Sequence, residues 1–359
     1  MVDSLIRLFF EPESIAVIGA SRREGSPGYV VFSNLVENSR SGVLRARVYG
    51  VNIKGGEVLG VRLYRSVLDI PDDVDHAVII VPARYVPDIM DECGRKGVKV
   101  ATILSAGFSE VGNVELEERV KKIAGDYGVR VIGPNGLGVY DPYTGVDTLF
   151  VPREKTYMGR RLSNLARPKR GFIAFLTQSG ALGGALLDYL VGEDLGISRF
   201  VSWGNKIDVD EAEMIEYLAN DEVTRVIAIY VESLRHNGRK LVDVGSEVSR
   251  RKPIIILKGG ITAAGARATL SHTASLAGNV SIYYAAFRKM GAVIAEGILD
   301  LLDKAKALSL QPPARGRRLG IVTNGGGPGI LVADFAERRG LMVPELSDNT
   351  IRELREYVR

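Results

Sequence analysis

Apolar residues along this chain fall in short β-branched runs, each closed by a glycine or small polar residue and followed by an amphipathic stretch. That alternation predicts parallel strands joined by helices, an α/β fold. In the first part, SIAVIGA (14–20), RVYGVN (47–52), HAVIIVPA (76–83), VKVATILSA (98–106) and VRVIGPN (129–135) read as strands. Helical periodicity falls at 28–38, 84–96 and 114–127, which makes residues 1–150 a complete, Rossmann-like doubly wound unit. A polar stretch rich in arginine predicts a linker over 151–170.

A second doubly wound unit is predicted over 171–308. It opens with GFIAFLTQSGALGGALLDYLVGE and continues through SRFVSWGN (198–205), RVIAIYVES (225–233), KPIIILKGG (252–260), AVIAEG (292–297) and a helix over 298–308. SLQPPARGRR (309–318) reads as a second linker. Residues 319–359 then predict one strand, a glycine loop and two helices, the start of a third unit whose core is too small to stand alone.

Composition narrows the function. No apolar run approaches the ~18 residues of a membrane span, and the first residues have the wrong pattern for a secretory signal. A single cysteine, Cys93, leaves no intrachain disulfide and no cysteine-based zinc site, so a cytoplasmic protein without its own metal is expected. The 47 basic residues exceed the 43 acidic ones by a net +4. No basic stripe interleaved with aromatics accompanies that excess, which argues against nucleic acid and suits small anionic ligands. The scarcity of glutamine, Gln178 and Gln311 only, beside many Arg, Val and Glu residues points to a heat-adapted source.

Candidate chemistry gathers at the strand ends. AVIGASRREGSPG runs from a strand through a turn into a helix, with Gly19, Ala20 and Ser21 at the turn. Its glycines are not spaced as G-x-G-x-x-G, so the loop reads either as a phosphate cradle for a non-nicotinamide ligand or as a plain βα turn. Lys54 beside two glycines, Pro82 and Ala83, Ser105 in SAGF, and Asn135 in GPNGLG lie on the same predicted sheet edge. Together they suit an extended ligand carrying phosphates. FLTQSGALG repeats the device with Thr177, Ser179 and Gly180. Thr177 stands where a serine-nucleophile elbow needs glycine, and the better reading is an anion site at a helix N-terminus. Asn324, Gly325, Gly326 and Gly327 form a third such mouth.

Of three histidines, His272 sits on the side-chain-poor stretch GITAAGARATLSHTASLAGN, which reads as a mobile loop. A neutral imidazole there can take and release a phosphoryl group, if a carboxylate holds its other nitrogen. Glu232, at a strand end, is the candidate. The alternative is a capped surface turn. His76 opens a buried strand, and His236 lies in a charged turn.

Taken in order, SIAVIGAS, VYGVNIKGGEVLG, AVIIVPA, ILSAGF, VIGPNGLGV, FLTQSGALG, WGNKIDVDEAEMIEYLANDEVTRVIAIYVE, KPIIILKGG and SHTASLAG resemble the α subunit, or α-type half, of NDP-forming acyl-CoA synthetases, relatives of succinyl-CoA synthetase. The resemblance implies an N-terminal Rossmann-like CoA-binding domain, followed by flavodoxin-like doubly wound parallel-sheet domains. It implies coenzyme A contacts at Gly19, Ala20, Ser21, Lys54, Pro82, Ala83, Ser105 and Asn135. Thr177, Ser179, Gly180 and Asn324 to Gly327 are the implied phosphate-facing positions. His272 is the implied phosphohistidine, oriented by Glu232. The activity implied is acyl-CoA (acetyl-CoA as the expected case), phosphate and ADP going to acid, CoA and ATP. An ATP-grasp β subunit would hold ADP or ATP with Mg2+. Two departures stand out: Gly136 replaces a cysteine frequent in that family's turn, and no ATP-grasp domain is present. A non-catalytic CoA- or nucleotide-sensing module is the alternative, and the intact His272 and Glu232 argue against it.

Overall fold

The computed structural model describes residues 5–158, 160–234, 238–273 and 279–357, without the side chains of 156, 157, 161 and 269–273. Residues up to Leu310 form one compact unit and those from Gln311 a second.

In the first unit, the opening run of apolar segments folds as β1 (Ser14–Ile18), α1 (Pro27–Arg40), β2 (Arg47–Val51), β3 (Gly56–Val58), β4 (Val61–Tyr64) and β5 (His76–Ile79). It continues with α2 (Val86–Lys96), β6 (Val100–Ile103), α3 (Val114–Tyr127) and β7 (Arg130–Ile132). The sheet order is β3-β4-β2-β1-β5-β6-β7, parallel except for the β3–β4 hairpin. Without β3 this is the 3-2-1-4-5-6 order of a Rossmann fold, whose switch point falls between β1 and β5. Helices α2 and α3 stop where Gly97 and Gly128 take left-handed backbone, which no β-carbon obstructs.

The second sheet begins earlier than the predicted boundary at residue 150. Strand β8 (Gly138–Tyr140) pairs antiparallel with β12 (Ile197–Ser202), so the chain crosses into the second sheet immediately after β7. A three-residue strand carries no periodicity by which sequence could assign it. The predicted linker contains a hairpin, β9 (Glu154–Tyr157) with β10 (Arg160–Ser163), closed through Met158 at φ +47°. Then follow β11 (Arg170–Thr177), α4 (Gly180–Gly192), β12, α5 (Glu211–Ala219), β13 (Val226–Val231), α6 (Gly238–Val248) and β14 (Ile254–Lys258). The unit ends with α7 (Ala263–Thr273), α8 (Val280–Lys289), β15 (Val293–Ala295) and α9 (Ile298–Leu310). Sheet order β15-β14-β13-β11-β12-β8 is the flavodoxin order with an antiparallel edge, and its switch point lies between β11 and β13. One continuous apolar core runs under both sheets, from Ile15 and Val17 to Leu176 and Val201.

Two expectations are corrected. The stretch read as a mobile loop is helical over 263–273: Ala263, Ala264, Ala266 and Ala268 are strong helix formers, and the Thr262 hydroxyl accepts the Gly265 N–H at 3.0 Å. In the second unit, the strand predicted at its start is only an isolated bridge, Arg318 to Met342, beside α10 (Gly326–Arg338) and α11 (Asp348–Tyr357). A buried parallel strand needs cover on both faces, and Val322 within that apolar run is fully exposed. No described helix is long and apolar enough to cross a membrane.

His76 is a structural residue, packed edge-on against Phe9, its Nε2 2.8 Å from the Thr102 hydroxyl. Complete burial lowers its pKa to about 3. The unfolded chain takes up this proton below about pH 6.5, while the fold resists it until about pH 3. Its contribution to stability is therefore full above pH 6.5 and lost as pH falls through that window, by at most about 1.4 kcal/mol per pH unit. Urea midpoints measured from pH 7 to pH 4 should fall less steeply in His76→Gln, by close to one proton. Identical slopes would refute the assignment.

Candidate functional site

Both sheets open into cavities on the carboxyl-end side of their strands, the first at the β1–β5 switch point and the second beside the ends of β11 and β12 at the start of α4. At the first, Gly19 has φ +104°, and a Cβ there would lie 2.0 Å from the Ile80 carbonyl oxygen. A Cβ on Gly28, at the start of α1, would lie 2.0 Å from the Gly19 oxygen. The two glycines thus do by contact what the unmatched fingerprint spacing left open: they press the strand end against the helix start and bare the backbone to a ligand. The cleft, about 420 Å3, is walled by Ile18, Gly19, Val51, Ile53, Val81 and Pro82, with Asn52 and Ser66 among its polar groups. Asn52, not anticipated, ties the two turns together: its Nδ2 donates to the Ala20 carbonyl at 2.7 Å and its Oδ1 accepts the Lys54 N–H at 3.0 Å.

Ala20 is buried and offers only its backbone. Ser21 Oγ accepts the Arg23 N–H, Lys54 extends into solvent, and Ala83 begins a short helical turn after Pro82. Ser105 links the clefts. Its hydroxyl accepts the Val81 N–H at 3.1 Å and its carbonyl accepts the Asn135 N–H at 2.9 Å.

The second cavity, about 480 Å3, joins the sheets: Asn135 and Gly136 form one side, and Gln178, Ser179, Gly180 and Ala181 another. Gly136 does not loosen this turn. It packs so closely on β12 that a Cβ would lie 2.3 Å from the Ser202 oxygen. Ser179 caps α4, its Oγ accepting the Leu182 N–H. The N–H groups of Gly180 and Ala181 belong to the helix's first turn, where no intrahelical acceptor is available and negative charge is favoured. Thr177 is not brought to the cavity wall, because its hydroxyl donates to the Ser179 carbonyl at 2.8 Å and accepts the Ser179 N–H, locking the turn.

Three buried polar residues escaped sequence reading. Gln178 clips the switch point, its Oε1 accepting the N–H groups of Glu232 (2.8 Å) and Ser233 (3.0 Å). Asn205 receives the Asn135 amide on Oδ1 at 3.3 Å and directs Nδ2 to Glu117 (2.6 Å) and Glu110 (2.7 Å). Burial pushes the Glu110 carboxyl upward, but the Gly107 N–H, the Asn205 amide and the Phe108 N–H together hold it below the usual carboxylate range. Lys258 ends β14 and donates to the Glu232 carbonyl at 2.7 Å. Burial lowers its pKa, against the opposing charge of Glu232.

Glu232 follows β13, buried, with the Tyr230 hydroxyl donating to Oε1 at 3.1 Å. Burial and the Glu232 charge push the Tyr230 phenol upward. His272 falls in the last turn of α7. Its side chain, and His236 altogether, lie outside the described residues. Asn324 and Gly325 to Gly327 stand in the second unit at the start of α10, where Gly325 is the N-cap.

A Rossmann-order sheet and a flavodoxin-order sheet thus meet at the α4 N-terminus, and comparison with known proteins assigns this pair of domains to a class, the CoA ligases. Residues 13–142 match the family described as a CoA binding domain, and residues 170–308 the succinyl-CoA ligase like flavodoxin domain. The chain is 41% identical over 356 residues to the acetate–CoA ligase (ADP-forming) II subunit alpha of Pyrococcus furiosus, covering 99% of this chain and 73% of that protein. It is 40% identical to the acetate–CoA ligase (ADP-forming) of Methanocaldococcus jannaschii, covering 99% of this chain and 48% of that protein. The solved dinucleotide forming acetyl-coenzyme A synthetase 1 of Ca. Korarchaeum cryptofilum, in complex with phosphate and ADP, superimposes with a TM-score of 0.90 at 40% identity, over 100% of this chain and 74% of that one. The chain belongs to the family of α subunits of ADP-forming acyl-CoA ligases.

Proposed function

We propose that this chain is the CoA-binding, phosphohistidine-bearing subunit of an ADP-forming acyl-CoA ligase working in the cytoplasm. The observation that carries the reading is the second cavity, which Asn135 of the CoA-binding half and the α4 N-terminus line together from different sides. CoA lies along the first switch point, against Gly19, Ala20, Ser21, Lys54, Pro82, Ala83 and Ser105, with its thiol end at Asn135. Inorganic phosphate sits at the first-turn amides of α4, capped by Ser179. A phosphate oxygen attacks the acyl carbonyl, the C–S bond breaks, and CoA leaves as the thiolate and takes a proton. The acyl phosphate then gives its phosphoryl group to the His272 imidazole and releases the carboxylate. Glu232 holds the other ring nitrogen and stabilises the imidazolium that forms. An ATP-grasp β subunit carrying ADP and Mg2+ accepts the phosphoryl group and makes ATP. The steps reverse to make acyl-CoA from acid, CoA and ATP.

The test is covalent labelling. The chain, supplied with its partner subunit, is incubated with acetyl-CoA or a larger acyl-CoA and radiolabelled phosphate. Acid-labile, base-stable label is expected on this chain, and none on His272→Ala. No label with any acyl-CoA refutes the phosphohistidine, and label retained in His272→Ala puts it elsewhere.

A further inference from the structure

We infer that Lys258 is a positioning residue of the phosphoryl relay: its ammonium holds Glu232 in register with the root of α7, the helix that carries His272. The inference rests on the ligase reading above and adds to it a residue that acts through Glu232 without touching substrate.

Lys258 is the last residue of β14, paired across the sheet with Val231, the residue before Glu232. Its side chain is buried, and its ammonium reaches three segments. On the neighbouring strand end it donates to the Glu232 carbonyl at 2.7 Å. It donates also to the carbonyl of Gly259, which with Gly260 forms the turn leading into α7. The third contact is with α8, where the centre of the Tyr283 ring lies 4.8 Å away. One cation thus ties the strand end of the carboxylate to the helix that carries His272 and to the helix that follows it.

The backbone leaves the sheet at Glu232, and side chains satisfy it there. Gln178 accepts the N–H groups of Glu232 and Ser233, while Lys258 and Lys206 donate to the two carbonyls, at 2.7 and 2.8 Å. Gln178 ties this strand end to the turn before α4, and Lys206 ties it to Glu211. Lys258 ties it to α7. The Tyr230 hydroxyl, which donates to the carboxylate, packs against the same turn: a Cβ at Gly259 would lie 2.5 Å from it. Burial opposes the charge on Lys258 and the Glu232 carboxylate favours it, so the two groups help keep each other ionised. Loss of the ammonium releases the Glu232 and Gly259 carbonyls together and takes from the carboxylate one of its counter-charges. The described lining of the second cavity does not include Lys258, so the defect belongs to transfer at His272 and not to the acyl step.

The experiment uses the complete enzyme, this chain with its nucleotide-binding partner, radiolabelled phosphate, and acetyl-CoA or whichever larger acyl-CoA labels the parent. Lys258→Met, which keeps most of the stem, should slow the appearance of acid-labile label at least about ten-fold, while hydroxylamine-trapped acyl phosphate and KM for CoA stay within about two-fold. Lys258→Gln, neutral but still a donor, serves if the methionine variant does not fold. The double variant separates positioning from packing. Lys258→Met with Glu232→Gln should label within about two-fold of Glu232→Gln alone, because the register that Lys258 sets matters only to a carboxylate. A merely structural lysine predicts equal losses in both steps, or losses that multiply in the double variant. Either result overturns the inference alone, as does a single variant labelled at the parent rate. No label on the parent with any acyl-CoA overturns the ligase reading, and this inference with it.

Discussion

Replacing His272 by alanine is expected to stop ATP formation, by at least a thousand-fold, while leaving the exchange of phosphate for CoA on the acyl group. The division follows from where each step is done. Attack of phosphate on the acyl carbonyl needs only the cavity between Asn135 and the α4 amides, and α7 contributes no residue to its described lining. The relay to ADP needs a nucleophile that can give the phosphoryl group back, and a methyl side chain cannot. Two measurements on the complete enzyme separate the steps. Hydroxylamine trapping of acyl phosphate, or thiol release from acyl-CoA with phosphate present, should persist in His272→Ala. ATP formation from acyl-CoA, phosphate and ADP should vanish. Loss of both activities in a folded variant would mean that the imidazole also serves the acyl step, and retention of ATP formation would remove it from the relay. Glu232→Gln should show the same pattern more weakly, ten- to a hundred-fold, because an amide still orients the ring but no longer stabilises its charge.

How legible such residues are in the sequence depends on how far their partners lie. Helix α3 keeps the predicted bounds 114–127 because its apolar positions, acidic first turn and terminal Gly128 are all local signals. Turns at Gly19 and Ser179 are legible for the same reason, since a strand, a small residue and a helix follow one another without a break. Gln178 and Asn205 are not: their partners stand 54 and 88 residues away, and only sheet order brings them together. Lys258 left a usable trace, a lysine closing the apolar run PIIIL, which implies a cation drawn into the end of a buried strand. At α7 two local signals conflicted. Small side chains suggested mobility, but in alanine they cost almost no entropy in a helix, and helix propensity wins. The β8 crossing had no local signal at all, because its place depends on pairing with a strand some sixty residues later.

Lys206 should show the largest effect on stability. It is fully buried, with left-handed backbone at φ +56°, one residue after the Asn205 that holds Asn135. Its ammonium donates to the Glu211 carboxylate and to the Ser233 carbonyl, and lies 5.8 Å from the centre of the Trp203 ring. Glu211 is itself 4% exposed, so water cannot stand in for the lysine. Lys206→Met preserves most of the stem's packing and leaves a carboxylate in the core without this counter-charge, a change that costs about 3–5 kcal/mol. The cost belongs to the orphaned charge and not to the pair as such. Removing both charges, in Lys206→Met with Glu211→Leu, should therefore recover most of the loss, since well-packed apolar residues often equal a buried ion pair. Urea unfolding of the three proteins tests this. A single variant within about 0.5 kcal/mol of the parent would show the pair to be energetically idle. A double variant no better than the single would show that shape or the Ser233 hydrogen bond carries the effect. If the double variant refolds but its KM for CoA rises, Lys206 also sets the Gly204–Asn205 turn on which Asn135 leans, and its charge serves the site through that turn.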